Sequence, residues 1–145
     1  MIRKKMLLGK SKIAYGICMV NRDLDSKCEE VLERHGVNQE QYCYLLYISQ
    51  NNSISIDMIE KYFGKTESGI IRDMKYLRRK EFVKIEGNIH DKKGCNIKVT
   101  EKFQETKEEM NFTTERWENE CFKYLTPMEK EILKDMLWRA NVQRR

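Results

Sequence analysis

The 145-residue chain has a single proline, Pro127, and only seven glycines, so little interrupts long helices. Nowhere do about 18 apolar residues run together, so the sequence offers no transmembrane helix. Histidine is limited to His35 and His90. The five cysteines, Cys18, Cys28, Cys43, Cys95 and Cys121, are odd in number and widely spaced, with no C-x-x-C pair. Zinc sites and disulfide frameworks need close, repeated spacings, so reduced thiols, no metal and no cofactor are expected. No nucleophile stands paired with a base and no glycine-rich phosphate loop occurs, so an enzyme is not expected. The start, Met1 to Lys10, sets basic residues before an apolar patch as an export signal does. Only Met6, Leu7 and Leu8 precede Gly9 and Lys10, too few for the apolar region of such a signal. A cytoplasmic protein is the resulting expectation.

Charge is present in quantity, and its distribution says more than its total. The chain carries 28 basic and 23 acidic side chains, a net +5, with 40% hydrophobic residues that argue against disorder. Residues 1–64 hold nine basic and eight acidic side chains, and residues 99–145 hold nine and ten. Residues 65–98 hold ten basic and five acidic, so one window carries the whole excess. A localised basic patch is the electrostatic footprint of phosphate-backbone binding, or else a solvated lysine-rich surface. The elements around it decide between the two.

Ile13, Ile17, Val20, Leu24, Cys28 and Val31 recur in steps of four and three, one helical stripe that Gly36 closes. Asn38, with Gln41 three residues on, opens a second helix whose face is Tyr42, Leu45 and Leu46. Ser55 caps a short third helix bearing Ile56, Ile59 and Phe63, ended by Gly64, and Thr66 caps a fourth. The period then changes to two: Phe82 to Glu86 alternates, as does Cys95 to Val99, so Val83 and Ile85 share a face with Ile97 and Val99 in a hairpin. After Thr100 a long helix sets Phe103, Met110, Trp117 and Tyr124 seven residues apart, a seam for another helix. Thr126-Pro127-Met128-Glu129 combines a cap, a first-turn proline and a capping box, opening a last helix with Met128, Ile132, Leu133, Met136, Leu137 and Ala140.

The expected fold is therefore mainly α with a small β-hairpin wing, a winged helix-turn-helix flanked by N- and C-terminal helices. Its parts are an N-terminal dimerisation helix (1–36), a winged helix-turn-helix region (37–100) and C-terminal dimerisation helices (101–145). On the fourth helix Ile70, Met74 and Leu77 face the core, while Ser68, Arg72, Lys75 and Arg79 lie opposite. A reading helix over 66–80 needs this division, with hydroxyl and guanidinium groups toward base edges and phosphates. Lys65 and Thr66 stand at its N-terminus, where free backbone N–H groups favour phosphate. In the wing loop, 86–94, Lys92 and Lys93 are candidates for the minor groove or the backbone, and Asp91 for shaping the loop by pairing with a lysine. The dimer interface is expected at Ile13, Ile17, Met110, Trp117, Ile132 and Met136.

Asp91-Lys92-Lys93, followed by Asn96-Ile97-Lys98-Val99-Thr100-Glu101-Lys102, resembles the D-x-R wing motif and following L-T-x-x-G of the MarR family of bacterial transcriptional regulators. The likeness runs from about Val37 to the C-terminus, and the first helix is compatible with it. It implies a homodimer joined by its terminal helices that binds double-stranded DNA at pseudo-palindromic operators, usually as a repressor, and is often released by a small-molecule or oxidant effector. Three positions depart from the pattern and make the chain a divergent member: Lys93 stands for the wing arginine, Glu81 for a glycine before the hairpin, and Phe103 for the glycine after Thr100. Peroxide-sensing members use a cysteine of the first helix, where Cys18 and Cys28 both lie; Cys18 is the redox candidate, and a buried structural thiol is the preferred reading. Tyr42, Tyr44 and Tyr47 suit a small-molecule pocket less well than core or interface. The competing reading is a winged-helix interaction module whose basic face takes an acidic protein.

Overall fold

The computed structural model describes residues 12–142. The basic and apolar start at residues 1–10 lies outside the described residues. Helix α1 spans Lys12–His35. Gly36, at φ 73°, takes the left-handed turn, and the Val37 N–H donates back to the Leu32 carbonyl at 3.1 Å. Helix α2, Gln39–Ser49, begins in the anticipated capping box: the Gln41 N–H donates to Asn38 Oδ1 and the Asn38 N–H to Gln41 Oε1. Helix α3, Ile56–Phe63, is capped by Ser55 and ended by Gly64 at φ 62°. After a two-residue turn, helix α4 runs Glu67–Arg79 from its Thr66 cap.

Strands β1, Val83–Glu86, and β2, Asn96–Val99, pair antiparallel with Val83 opposite Val99 and Ile85 opposite Ile97. This is the alternation read from the sequence. Ile54, in the segment before α3, adds an isolated bridge to Ile97, an element the periodicity did not indicate. Helix α5 spans Glu101–Cys121, and α6 spans Pro127–Val142 behind the Thr126–Glu129 capping box.

One core lies among α2, α3, α4 and the hairpin, with the C-terminal end of α1 and the first half of α5 closing it. Tyr44, Leu45, Ile54, Ile56, Ile59, Ile70, Met74, Leu77 and Phe82 have no accessible surface. Each such side chain contributes about 1.5–3 kcal/mol by leaving water. Phe103, in place of a family glycine, enters this core and lies 5.9 Å from the Tyr42 ring.

The seam on α5 is corrected in two respects. Met110, expected between chains, is buried in its own chain's core, because α5 lies along α1 and uses the seam internally. Trp117 is half-buried, its indole N–H donating to Asp23 of α1 at 2.7 Å, while Arg34 and His35 both engage Glu109. Tyr124 lies beyond the helix and is 89% exposed, because the chain leaves α5 after Cys121. Helix α6 buries no residue at all, and Ile132, Met136 and Trp138 are exposed along it, as are Ile13 and Ile17 on α1. Among the described residues, no helix is long and apolar enough to cross a membrane.

Candidate nucleic-acid interface

The outer face of α4 is built by turning everything else inward. Ile70, Met74 and Leu77 are fully buried, and the Thr66 hydroxyl caps the helix by accepting from the Gly69 N–H. Asp73, beside Arg72 in sequence, points into the protein, where its Oδ1 accepts from the buried Gln41 amide at 3.2 Å. This bond withdraws a carboxylate from the outer face and pins α4 to α2. Ser68, Arg72 and Arg79 remain exposed and Lys75 half-exposed.

These four side chains line one shallow groove of about 520 Å³, together with Glu67, Ile71 and His90. The outward residues read from helical spacing are thus brought together. Ile71 and His90 were not anticipated. Ile71 sits at the edge of the buried sector, and His90 comes from the wing loop, where no periodicity marks direction. The Arg79 guanidinium and the Lys80 ammonium lie about 6.0 and 5.9 Å from the centre of the Tyr76 ring, which supports both cations from below. Tyr76 itself donates to the Gly36 carbonyl at 2.5 Å, tying α4 to the end of α1.

Lys65 and Thr66 are both exposed at the start of α4, but Lys65 Nζ lies 3.4 Å from Glu40 Oε2. Glu40 accepts a 2.6 Å hydrogen bond from Tyr44, and this bond, with Lys65 and Arg72 nearby, holds its carboxyl below the ordinary glutamate range. Burial and the same bond push the Tyr44 phenol up.

The wing is held against the core on both sides. Ile89 and Cys95 are buried, anchoring both of its sides in the core. Asp91 shapes the loop, though without a lysine: its Oδ1 accepts from the Gly94 N–H at 3.0 Å, and its carbonyl accepts from Gly94 and Cys95. A Cβ at Gly94 would stand 2.1 Å from Asp91 Oδ2, so a larger residue there would displace the Asp91 carboxylate from this bond. Lys92, expected to reach outward, folds back instead. Its ammonium lies 2.9 Å from Glu60 on α3 and 3.3 Å from Glu67 on α4, and these two carboxylates raise its pKa. Lys93 is the exposed lysine of the pair.

Glu81 has φ 64°, the left-handed region in which an ordinary side chain is strained. A glycine, which the resembled pattern has there, would take this angle without strain. The turn is held by Thr100, whose hydroxyl donates to the Glu81 carbonyl at 2.5 Å rather than capping α5.

Cys18 is exposed, not a buried structural thiol, since it lies on the outer side of α1. Cys95 is the buried one. Burial, with Asp25 near Cys28 and Asp23 near Cys121, raises both of those thiols and disfavours thiolate. Tyr42 and Tyr44 belong to the core, and Tyr47 stacks on Tyr62 at 4.3 Å.

A short helix, a two-residue turn, a second helix with a polar cationic outer face, and a two-stranded hairpin folded against both define a winged helix-turn-helix protein. No family model matches the chain. A similar curated protein is the HTH-type transcriptional regulator BilQ of Clostridioides difficile (strain CD3), 23% identical over 125 residues that cover 86% of this chain and 84% of that protein. Similar solved structures include MarR (TM-score 0.72, 19% identity, covering 92% of this chain and 98% of that one). A mutant MepR from a multidrug-resistant S. aureus clinical isolate gives TM-score 0.72 at 20% identity over 93% and 99%. The transcriptional regulator SlyA gives TM-score 0.68 at 22% identity over 92% and 94%. The fold of this chain is that of the MarR family.

Proposed function

We propose that the chain is a dimeric, sequence-specific DNA-binding transcription regulator, acting as a repressor at pseudo-palindromic operators. The observation that supports it best is the single groove shared by Ser68, Arg72, Lys75, Arg79 and His90, from which Asp73 is withdrawn into the interior. A guanidinium on such a face matches the paired acceptors of guanine, and Lys75 supplies a phosphate contact. The similarity to the regulators BilQ, MarR and SlyA points the same way. Residues 37–100 then form the DNA-reading region, and 1–36 and 101–145 the dimerisation helices. The exposed apolar side chains of α1 and α6, with Ile13, Ile17, Ile132 and Met136 among them, are the surface a second copy would cover.

Selection from a random duplex pool, followed by titration at several salt concentrations, tests the reading. The expected result is an enriched pseudo-palindrome bound with a steep loss of affinity as salt rises. Arg72→Ala should cost about 1–3 kcal/mol on the enriched site, while Lys75→Ala weakens all duplexes evenly. No sequence preference and stoichiometric capture by an acidic protein instead would replace this function with that of an interaction module.

A further inference from the structure

We propose that Lys92 is a positioning residue that braces the wing to both helices of the helix-turn-helix and neutralises Glu67 at the edge of the reading groove, and that it makes no DNA contact itself. Three attachments converge on this one residue. Its carbonyl accepts from the Asp57 N–H at 3.1 Å, satisfying one of the unpaired amides in the first turn of α3. Its ammonium reaches Glu60 one turn further along α3 and Glu67 at the start of α4, so a single side chain spans the Gly64–Lys65 turn from the wing.

The arrangement has an electrostatic consequence. Glu67 lines the groove beside Ser68, Arg72 and Lys75, where a phosphate backbone would have to approach. An uncompensated carboxylate there repels that backbone, and Lys92 cancels it from behind. The neighbouring Lys93 is exposed, so the two adjacent lysines divide the work: one faces the protein, the other solvent. Each exposed ion pair is individually weak, but here the two pairs share one side chain whose backbone is already held by a hydrogen bond, which reduces the entropy lost in forming them.

The inference rests on the DNA-binding reading, and one arm of its test is independent of DNA. In the free full-length protein, Lys92→Met should speed hydrogen exchange of the Asp57 amide by about fivefold, the scale of one or two exposed ion pairs. Lys92→Arg, which retains both pairings, should restore slow exchange. Unchanged exchange in Lys92→Met overturns the brace whether or not the protein binds DNA. The second arm is a cycle on duplex affinity. Lys92→Met should weaken binding in the parent but have no effect in a Glu60→Gln/Glu67→Gln background, where nothing remains to neutralise. An equal loss in both backgrounds identifies Lys92 as a direct phosphate contact and overturns the proposal. If no variant and no parent binds any duplex, the DNA-binding reading falls and the exchange arm alone decides the brace.

Discussion

Helices α4 and α6 have 13 and 16 residues, yet α4 buries Ile70, Ile71, Asp73, Met74 and Leu77 within its own chain and α6 buries nothing. Both carry enough apolar side chains to form a buried stripe. The difference lies in what the chain supplies opposite them: α4 has α2, α3 and the hairpin, whereas α6 leaves α5 across the Phe122–Thr126 turn and faces solvent. Amphipathic periodicity therefore identifies a face that must be covered, and the rest of the chain determines whether the cover is its own.

The comparison can be broken at either end. Leu77→Ala, in the filled core, should destabilise the fold by about 2–5 kcal/mol, seen as a lower midpoint in urea than the parent's at the same protein concentration. Ile132→Asp combined with Met136→Asp should leave that midpoint nearly unchanged when measured on the monomer. It should weaken self-association by about 100-fold, near 3 kcal/mol, in sedimentation equilibrium. A double mutant that sediments like the parent would show that α6 is covered by something other than a second copy.

Smaller effects sharpen the picture at the margins of the core. Glu81→Gly relieves the left-handed strain at φ 64° and should stabilise the fold by about 0.5–1 kcal/mol, the larger entropy of an unfolded glycine offsetting part of the gain. An Ala at the same position should give no such gain. The least change is expected for Glu109→Gln at the α1–α5 contact. The Arg34 and then the His35 hydrogen bonds hold the Glu109 carboxyl below its ordinary value. Its contribution is therefore present above the unfolded glutamate pKa of about 4.3 and is lost as the pH falls through the depressed folded value. The gap in stability between parent and variant should accordingly be open at pH 7 and closed well below pH 4. A gap that persists in acid would assign the effect to packing rather than charge.

Much of the fold is legible in the sequence because its punctuation is local. Asn38–Gln41, Ser55, Gly64, Thr66 and Thr126–Glu129 each announce a helix end within four residues, and the structure uses every one of them. The outward face of α4 is legible for the same reason. Lys92 is not, since its carboxylate partners lie 32 and 25 positions away on two other elements, and sequence spacing says nothing about them. Asp73 can be placed away from the outer centre by its helical angle, but its bond to Gln41 depends on how α2 crosses α4. Met110 shows the opposite limit: a seven-residue repeat gives the face of α5 without saying that α1 of the same chain takes it. At Glu81 the departure from the resembled pattern is visible in the sequence, while the strain it causes appears only in the backbone angle.

Ile97 belongs to two pieces of structure at once. It pairs with Ile85 across the hairpin, and its N–H donates to the Ile54 carbonyl at 2.7 Å in the segment leading into α3. The base of the wing is thereby sewn to the entrance of the helix-turn-helix, with no free pivot between them. Groove-facing helix and hairpin thus travel together like two teeth cut in one key. In the dimer proposed above, the span from one key to the next would be set at the stems, through α1, α5 and α6.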